Sequence, residues 1–299
     1  MTRPRNRRSL LLGGAGLMLG GGGLLAGAGW RLNQDNARAE PGDLMPSPTP
    51  SPTPPPWKLT DVDPANLVTI ENLQWHAWAL LDHEDGALLS SAKATEASRT
   101  CSVIKVWIAA DYLRRAAEKG ATPSNSKLAA LSKMIRDSDN NVATQVFSEL
   151  GKSASFKRMQ QLCGLTDFTP NNSWGQCKMS ARDMVRLAAA TAAGTAAGPQ
   201  WTPWLLDEMR NVRRGLFGVR KAMPPEQAAQ VPIKNGWDIT SATKTWNLNN
   251  LVANTKWSMV VMVRYPSSHP QGLAYGEQCC DTIAGQLLRS EELEPLFSK

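Results

Sequence analysis

Residues 102–119 read SVIKVWIAADYLRRAAEK, and this stretch determines how the rest of the chain is interpreted. Its apolar residues recur every three or four positions, and Gly120 follows as a helix stop, so it predicts a buried helix. Ser102 and Lys105 lie one turn apart at the start of that helix. Residues at i and i+3 share one helix face, so the amine can reach the hydroxyl. This arrangement is typical of a serine nucleophile activated by a lysine base.

A Ser-x-x-Lys motif alone is weak, because the chain contains four, beginning at Ser90, Ser102, Ser124 and Ser241. Two further motifs support the Ser102 copy, and each occurs once. Ser138-Asp139-Asn140 falls in a predicted turn between two helices, and Lys234-Asn235-Gly236 falls on a predicted strand. The three motifs in this order and in these structural contexts are much more specific than any one of them.

The surrounding hydrophobic patterns predict a β-hairpin first, a helical block next, and three strands with a helix at the end. The predicted strands are 74–81, 87–91, 231–237, 246–253 and 257–265, and the other predicted helices are 126–136, 140–150, 154–162, 180–192, 201–211 and 274–289. This order favours an α+β fold in which a five-stranded antiparallel sheet is flanked by helices and joined to a helical subdomain.

With these motifs, the chain from about Trp75 onward resembles the penicillin-recognising serine enzymes, that is, class A β-lactamases and related penicillin-binding proteins. The resemblance implies a β-lactamase/transpeptidase-like fold and four catalytic roles. Ser102 would be the acylated nucleophile, and Lys105 would accept its proton. Ser138 would relay a proton to the leaving nitrogen, and Lys234 would supply positive charge for the substrate carboxylate.

The same resemblance implies substrate-binding roles for Asn140, Asn235, Gly236 and Trp237. The backbone N–H groups of Ser102 and Trp237 would form an oxyanion hole. The implied substrates are β-lactams or peptidoglycan-type peptides ending in D-Ala-D-Ala, turned over by a monomer that needs neither a metal nor an organic cofactor.

The chain departs from the family pattern in the loop 164–179, which contains no glutamate and only one acidic residue, Asp167. Class A β-lactamases use a loop glutamate to activate the deacylating water, so we expect easy acylation and slow deacylation here. Asn235 stands where the family has Thr or Ser. The gap from Ser102 to Ser138 is shorter than in class A enzymes, which predicts a more open cleft.

Three other functions remain open at this stage. The chain could be a D,D-carboxypeptidase, or an esterase that needs only the serine and the oxyanion hole. It could also be a cell-wall binding module that kept the fold and lost turnover. The intact set of Ser102, Lys105, Ser138 and Lys234 argues against the binding module.

The N-terminus predicts export. In residues 1–39, Arg7-Arg8 precede an uncharged run over 9–30, which resembles a twin-arginine signal, and Ala37-Arg38-Ala39 offers a cleavage site. The alternative is an uncleaved membrane anchor formed by 9–30. Residues 40–56 form a Pro/Ser/Thr-rich linker, and 57–299 form the catalytic domain. We therefore expect an extracellular or cell-envelope protein, either released or tethered.

Charge and composition limit other functions. Residues 1–40 carry six of the 33 basic and two of the 26 acidic residues, which leaves 27 and 24 on the rest. So small an excess of basic residues gives little reason to expect nucleic-acid binding.

With three histidines and no Cys-x-x-Cys pair, a zinc site is not expected. The spacing makes Cys163 and Cys177 the best disulfide candidates, which an exported protein would favour.

Overall fold

The computed structural model describes residues 56–299. The predicted export signal (1–39) and residues 40–55 of the predicted linker lie outside the described residues. In the described part, a five-stranded antiparallel sheet has the strand order β2-β1-β7-β6-β5, and β3 pairs with β4 in a separate two-stranded ribbon. The strands are Trp75–Asp82 (β1), Leu88–Ser90 (β2), Ser98–Arg99 (β3), Lys178–Met179 (β4), Ile233–Thr240 (β5), Thr245–Ala253 (β6) and Trp257–Pro266 (β7).

Ten α-helices separate and follow these strands in residues 56–299. They are Lys105–Glu118 (α1), Asn125–Arg136 (α2), Asn140–Glu149 (α3), Ser153–Cys163 (α4), Ala181–Ala192 (α5), Thr202–Arg210 (α6), Val219–Ala222 (α7), Pro225–Gln230 (α8), Leu273–Arg289 (α9) and Glu294–Phe297 (α10). A 3-10 turn at Cys101–Ile104, here called the Ser102 turn, leads directly into α1.

The centre of the sheet is buried on both faces. Almost every residue of β6 and β7 is buried, although successive side chains of a strand point to opposite faces. Helices α5 and α9 each contact both strands and supply this cover. The long apolar runs of these two strands are therefore explained by burial between layers of helices.

Polar side chains fix the helix that carries the first motif. Asp111 of α1 is fully buried and accepts hydrogen bonds from Ser155 Oγ (2.6 Å), Arg115 Nε (3.0 Å) and Arg158 Nε (2.9 Å). The indole of Trp107 donates to Ser155 Oγ at 2.9 Å. A buried carboxylate with several donors is well satisfied, and this network holds α1 against α4.

The predicted fold class is confirmed, with small differences in the elements. The first turn of the predicted 102–119 helix is the 3-10 Ser102 turn, and β5 extends to Thr240 rather than ending at Trp237. Helices α7, α8 and α10 and the β3–β4 ribbon were not predicted, because elements this short carry too few residues to show a periodic pattern. In the described region, no helix is long and apolar enough to cross a membrane.

The predicted Cys163–Cys177 disulfide is not formed. All five cysteines are free and buried. The Cys177 thiol donates to the backbone oxygen of Trp174 at 2.9 Å and lies 3.0 Å from Thr100 Oγ1. Burial raises the pKa of both Cys163 and Cys177 to about 12. These cysteines therefore behave as small buried residues.

Candidate active site

The Ser102 turn holds its backbone in an unusual conformation. Cys101 has a φ of +49°, in the left-handed region that favours glycine. The carbonyls of Arg99 and Thr100 accept hydrogen bonds from Asn249 Nδ2 at 2.9 and 3.2 Å. Such strain persists only where surrounding contacts enforce it. Here it leaves Ser102 partly exposed while the next three residues are buried.

Lys105 is fully buried, and four oxygens surround its amine. The Nζ atom lies 2.6 Å from Ser138 O and 2.6 Å from Asn140 Oδ1, and both of these atoms can only accept. It also lies 3.1 Å from Ser102 Oγ and 3.2 Å from Ser138 Oγ. An ammonium has only three protons for these four partners. The neutral amine is accommodated equally well, since two N–H groups serve the obligate acceptors and the lone pair can accept from a hydroxyl.

The environment of Lys105 makes its neutral form accessible near neutral pH. Burial lowers its pKa from the usual 10.5 to about 8. The charge of Asp139 opposes this shift, and the charge of Arg214 adds to it. A measurable fraction of the amine is therefore unprotonated near neutral pH, as a general base requires.

Ser138 stands between two lysines. Its Oγ lies 3.2 Å from Lys105 Nζ and 3.0 Å from Lys234 Nζ. Its φ of +59° is again left-handed. The next residue, Asp139, caps α3 by accepting from Val142 N at 2.9 Å and pairs with Lys133 at 2.9 Å. This helix cap sets the point at which α3 begins and hence where Ser138 stands.

Lys234 projects from β5 and is 1% exposed. Its Nζ donates to Ser138 Oγ at 3.0 Å and to its neighbour's backbone oxygen, Asn235 O, at 2.9 Å. Burial lowers the pKa of Lys234 well below its ordinary value, and the charges of Lys105 and Arg214 lower it further. A lysine amine held this way is poised to respond to an arriving anion, because a negative charge would favour its protonated form.

Asn235 does not face the site, which corrects its predicted role in substrate binding. Its side chain is 1% exposed, and its Nδ2 donates to Gly215 O at 2.8 Å and to Phe217 O at 2.7 Å. Its Oδ1 accepts from Asn250 Nδ2 at 2.6 Å. Both amide protons are therefore engaged within the fold, and Asn235 ties β5 to the loop 215–217.

Gly236 and Trp237 complete the strand that runs past Ser102. A Cβ added at Gly236 would lie 2.6 Å from the backbone nitrogen of Ser102, so only glycine allows β5 to approach the Ser102 turn this closely. The Trp237 ring packs edge-on against Phe217, with centroids 6.1 Å apart. Gly215, at a φ of +67°, lies beneath this ring, where any Cβ would lie 2.4 Å from Trp237 Cζ3.

Ser102 opens into a cavity of about 330 Å³, here called the Ser102 cavity. It lies between the Ser102 turn, the start of α3, the loop before β4 and the end of β5. Of the predicted residues, Asn140 and Trp237 also line it. Lys105, Ser138 and Lys234 do not line it. Lys105 hydrogen-bonds directly to Ser102, Ser138 bonds to Lys105, and Lys234 bonds to Ser138.

Two residues at the site were not predicted to have a role. Trp174 lines the Ser102 cavity, places its ring centroid 4.8 Å from Lys105 Nζ, and donates from its indole to Thr144 Oγ1 at 3.0 Å. Trp174 lies in the loop 164–179, which lacks a glutamate. Its aromatic side chain in that loop was the sequence feature that could have indicated a place at the site. Arg214 is exposed and contributes its charge to both buried lysines.

The single acidic residue of the loop 164–179 is used elsewhere. The Asp167 carboxylate accepts from Ser180 Oγ at 2.8 Å, and its backbone nitrogen donates to Asp183 Oδ2 at 2.6 Å. Asp167 is thus bound to the start of α5 and not to Lys105 or Ser102. Within residues 56–299, no group of three or more His, Cys, Asp or Glu side chains could hold a metal ion.

Comparison with protein families gives one match over more than half of the chain. A model described as the beta-lactamase enzyme family matches residues 118–275. The matched region includes Ser138 and Lys234 and begins after Ser102 and Lys105.

Curated relatives also match about half of this chain. A Mycobacterium tuberculosis protein named "Putative lipoprotein LppW" is 29% identical over 166 residues, which is 53% of this chain and 52% of that protein. Its Mycobacterium bovis counterpart matches equally. The chain therefore spans about half the length of the curated relatives it matches.

Solved structures share the fold at low identity. A structure of PBP-A has a TM-score of 0.58 and 18% identity, and the match covers 78% of this chain and 96% of that one. A class A beta-lactamase from Mycobacterium abscessus has a TM-score of 0.55 and 15% identity, covering 72% of this chain and 93% of that one. At these identities the likeness shows the fold alone.

Proposed function

Because the chain belongs to the beta-lactamase enzyme family, we propose that it is a serine acyl-hydrolase that forms an acyl-enzyme on Ser102 with β-lactams or peptides ending in D-Ala-D-Ala. The observation that carries this proposal is the continuous chain of contacts from Ser102 through Lys105 and Ser138 to Lys234. An ordinary helix start would not need two buried lysines that share one serine hydroxyl.

Acylation begins with proton transfer. The neutral amine of Lys105 takes the proton of the Ser102 hydroxyl, and Ser102 Oγ attacks the carbonyl carbon of the substrate. The backbone N–H groups of Ser102 and Trp237 receive the negative charge that develops on the carbonyl oxygen. The close approach of Gly236 to Ser102 supports this role, because it brings the β5 backbone alongside the nucleophile.

Collapse of the intermediate needs a proton on the leaving nitrogen. Ser138 donates its hydroxyl proton to that nitrogen as the carbon–nitrogen bond breaks, and the Lys105 ammonium returns a proton to Ser138. This leaves Lys105 neutral and Ser102 acylated. Lys234, charged in the presence of the substrate carboxylate, binds that carboxylate with the N–H that remains beyond its two acceptors.

Deacylation is expected to be slow. A water that attacks the acyl-enzyme needs a general base beside it. The one acidic residue of the loop 164–179 is bound to Ser180 and Asp183, and the ring of Trp174, which lines the Ser102 cavity, lies 4.8 Å from Lys105 Nζ. The balance therefore favours a long-lived acyl-enzyme, as in a penicillin-binding protein, over rapid β-lactam turnover.

A non-catalytic binding module is the second candidate. The observation in its favour is that all four motif side chains already have partners within the fold, so they could serve stability alone.

For location, we propose the cell envelope, since the curated relatives are named as lipoproteins and the N-terminal sequence resembles an export signal.

Intact-mass spectrometry with a fluorescent penicillin separates these functions. We expect an adduct of one penicillin on the chain that is absent from Ser102→Ala and persists for many minutes. An adduct that disappears while penicillin is consumed would mean fast deacylation and a β-lactamase. No adduct, with reversible binding that is equal in Ser102→Ala, would establish the binding module.

A further inference from the structure

A second cavity lies beside the Ser102 cavity and exceeds it in volume. It measures about 470 Å³ and is formed by the β3–β4 ribbon, the β5–β6 turn and the end of β7. Four cationic side chains line it, and it is here called the basic cavity: Arg99, Lys178, Lys244 and Arg264. Hydroxyl groups of Ser98, Thr240 and Thr243 lie among them.

The charge of the basic cavity is not balanced. Arg99 pairs with Asp238 at 3.0 Å, and Arg264 pairs with Glu96 at 3.3 Å. Lys178 and Lys244 are exposed, and neither forms an ion pair within residues 56–299. None of the described side chains that line this cavity is a carboxylate. Two uncompensated ammonium groups around a concave surface attract an anion.

Arg99 connects the basic cavity with the Ser102 cavity, because it lines both. Its guanidinium donates to Thr240 Oγ1 at 3.4 Å, on the basic cavity side, and to Gly175 O at 3.4 Å, in the loop that borders the Ser102 cavity. Its Nε is buried and has no protein partner. The two cavities therefore adjoin at this side chain.

We infer that the basic cavity binds the remote carboxylate of an extended peptide substrate whose acyl end lies at Ser102. This inference rests on the proposed function, because it assigns the far end of the same acyl donor. Lys178 and Lys244 supply the charge, and the neighbouring hydroxyl groups supply hydrogen bonds to the carboxylate or to the peptide that carries it. The chain would then select anionic peptides over neutral ones of equal length.

Binding can be tested without acylation in the Ser102→Ala chain. The probes are two synthetic peptides that end in D-Ala-D-Ala and differ only at the N-terminus, one with a succinyl cap and one with the neutral succinamyl cap, each made in several lengths. Calorimetric titration at low ionic strength gives both dissociation constants. Each of the two exposed ion pairs contributes about a factor of two to five, so we expect the best succinyl peptide to bind about 4- to 25-fold more tightly. Added salt should reduce that ratio.

Substitution of Lys178 and Lys244 tests whether these two residues cause the preference for the succinyl cap. In Ser102→Ala with Lys178→Gln and Lys244→Gln added, the ratio of the two dissociation constants should fall to about one. The matched control is Lys256→Gln, which removes an exposed lysine from the β6–β7 turn at the opposite end of the sheet and should leave the ratio unchanged. Thermal unfolding verifies that each variant is folded.

Several results would overturn the inference. Equal binding of both caps at every length, binding of neither peptide, or a succinyl preference that survives the double substitution would each do so. Failure of the proposed function is a separate result, because it would appear as no penicillin adduct on the unmodified chain. A chain that forms the adduct but ignores the cap would keep the proposed function and lose this inference.

Discussion

The rate of acylation should rise with pH between 7 and 9, because the base is the neutral form of Lys105. With a pKa of about 8, about one tenth of the amine is neutral at pH 7 and about nine tenths at pH 9. The second-order rate constant of adduct formation at low penicillin concentration, which reports the pKa of the free chain, should therefore increase roughly tenfold over this range. A lysine with its ordinary pKa of 10.5 would give a rise of about a hundredfold with no plateau.

Arg214 provides a way to shift this profile without touching the nucleophile. Its positive charge lowers the pKa of Lys105, so removing it in Arg214→Gln should raise that pKa. The midpoint of the rate profile should then move to higher pH, and the rate at pH 7 should fall while the plateau is retained. Lys256→Gln, far from the site on the β6–β7 turn, removes one positive charge and should leave the midpoint in place.

The measurement is stopped-flow fluorescence of adduct formation across pH 6 to 10, with Ser102→Ala as the blank. A rate that is flat or declining between pH 7 and 9 would refute the role of Lys105 as the base. An unchanged midpoint in Arg214→Gln would instead show that burial alone sets the pKa of Lys105.

Substitutions at three positions test other parts of the site. Asn235→Thr introduces the residue that the family pattern favours. It should lower the free energy of unfolding by about 1–3 kcal/mol in urea titrations, because it removes the amide donors that serve Gly215 O and Phe217 O. Unchanged stability would contradict this. Gly236→Ala should abolish acylation, since its Cβ would lie 2.6 Å from Ser102 N, and a normal acylation rate in mass spectrometry would show that β5 can move away. Trp174→Ala should shorten the lifetime of the acyl-enzyme by admitting water, whereas Trp174→Phe should keep it long; equal lifetimes in both would exclude this shielding.

The spacing of apolar residues predicted most of the fold, because it shows which face of each strand or helix is buried. The apolar runs that became β6 and β7 are buried almost throughout, and the apolar stripe beginning at Val103 packs α1 into the core. The two short helices α7 and α8 span four and six residues, too few for such a stripe to appear.

The site was predictable where spacing along one element decides contact. Ser102 and Lys105 meet because they are one turn apart, and their amine and hydroxyl lie 3.1 Å from each other. The direction of Asn235 was not predictable, since its partners Gly215 and Phe217 belong to a loop about 20 residues earlier in the chain. The catalytic roles of all four motif residues stay predictions until an adduct is measured.

The five buried thiols can report where and how often the structure opens. Burial raises the pKa of every one of them, so little thiolate is present in the closed state to react with an alkylating reagent. Each cysteine then becomes labelled only when its surroundings separate, and its labelling rate measures the free energy of that opening. Cys101 and Cys177 would report on the nucleophile and its loop, and Cys280 on the terminal helix, so that one mass-spectrometric time course distinguishes local breathing at the catalytic turn from global unfolding.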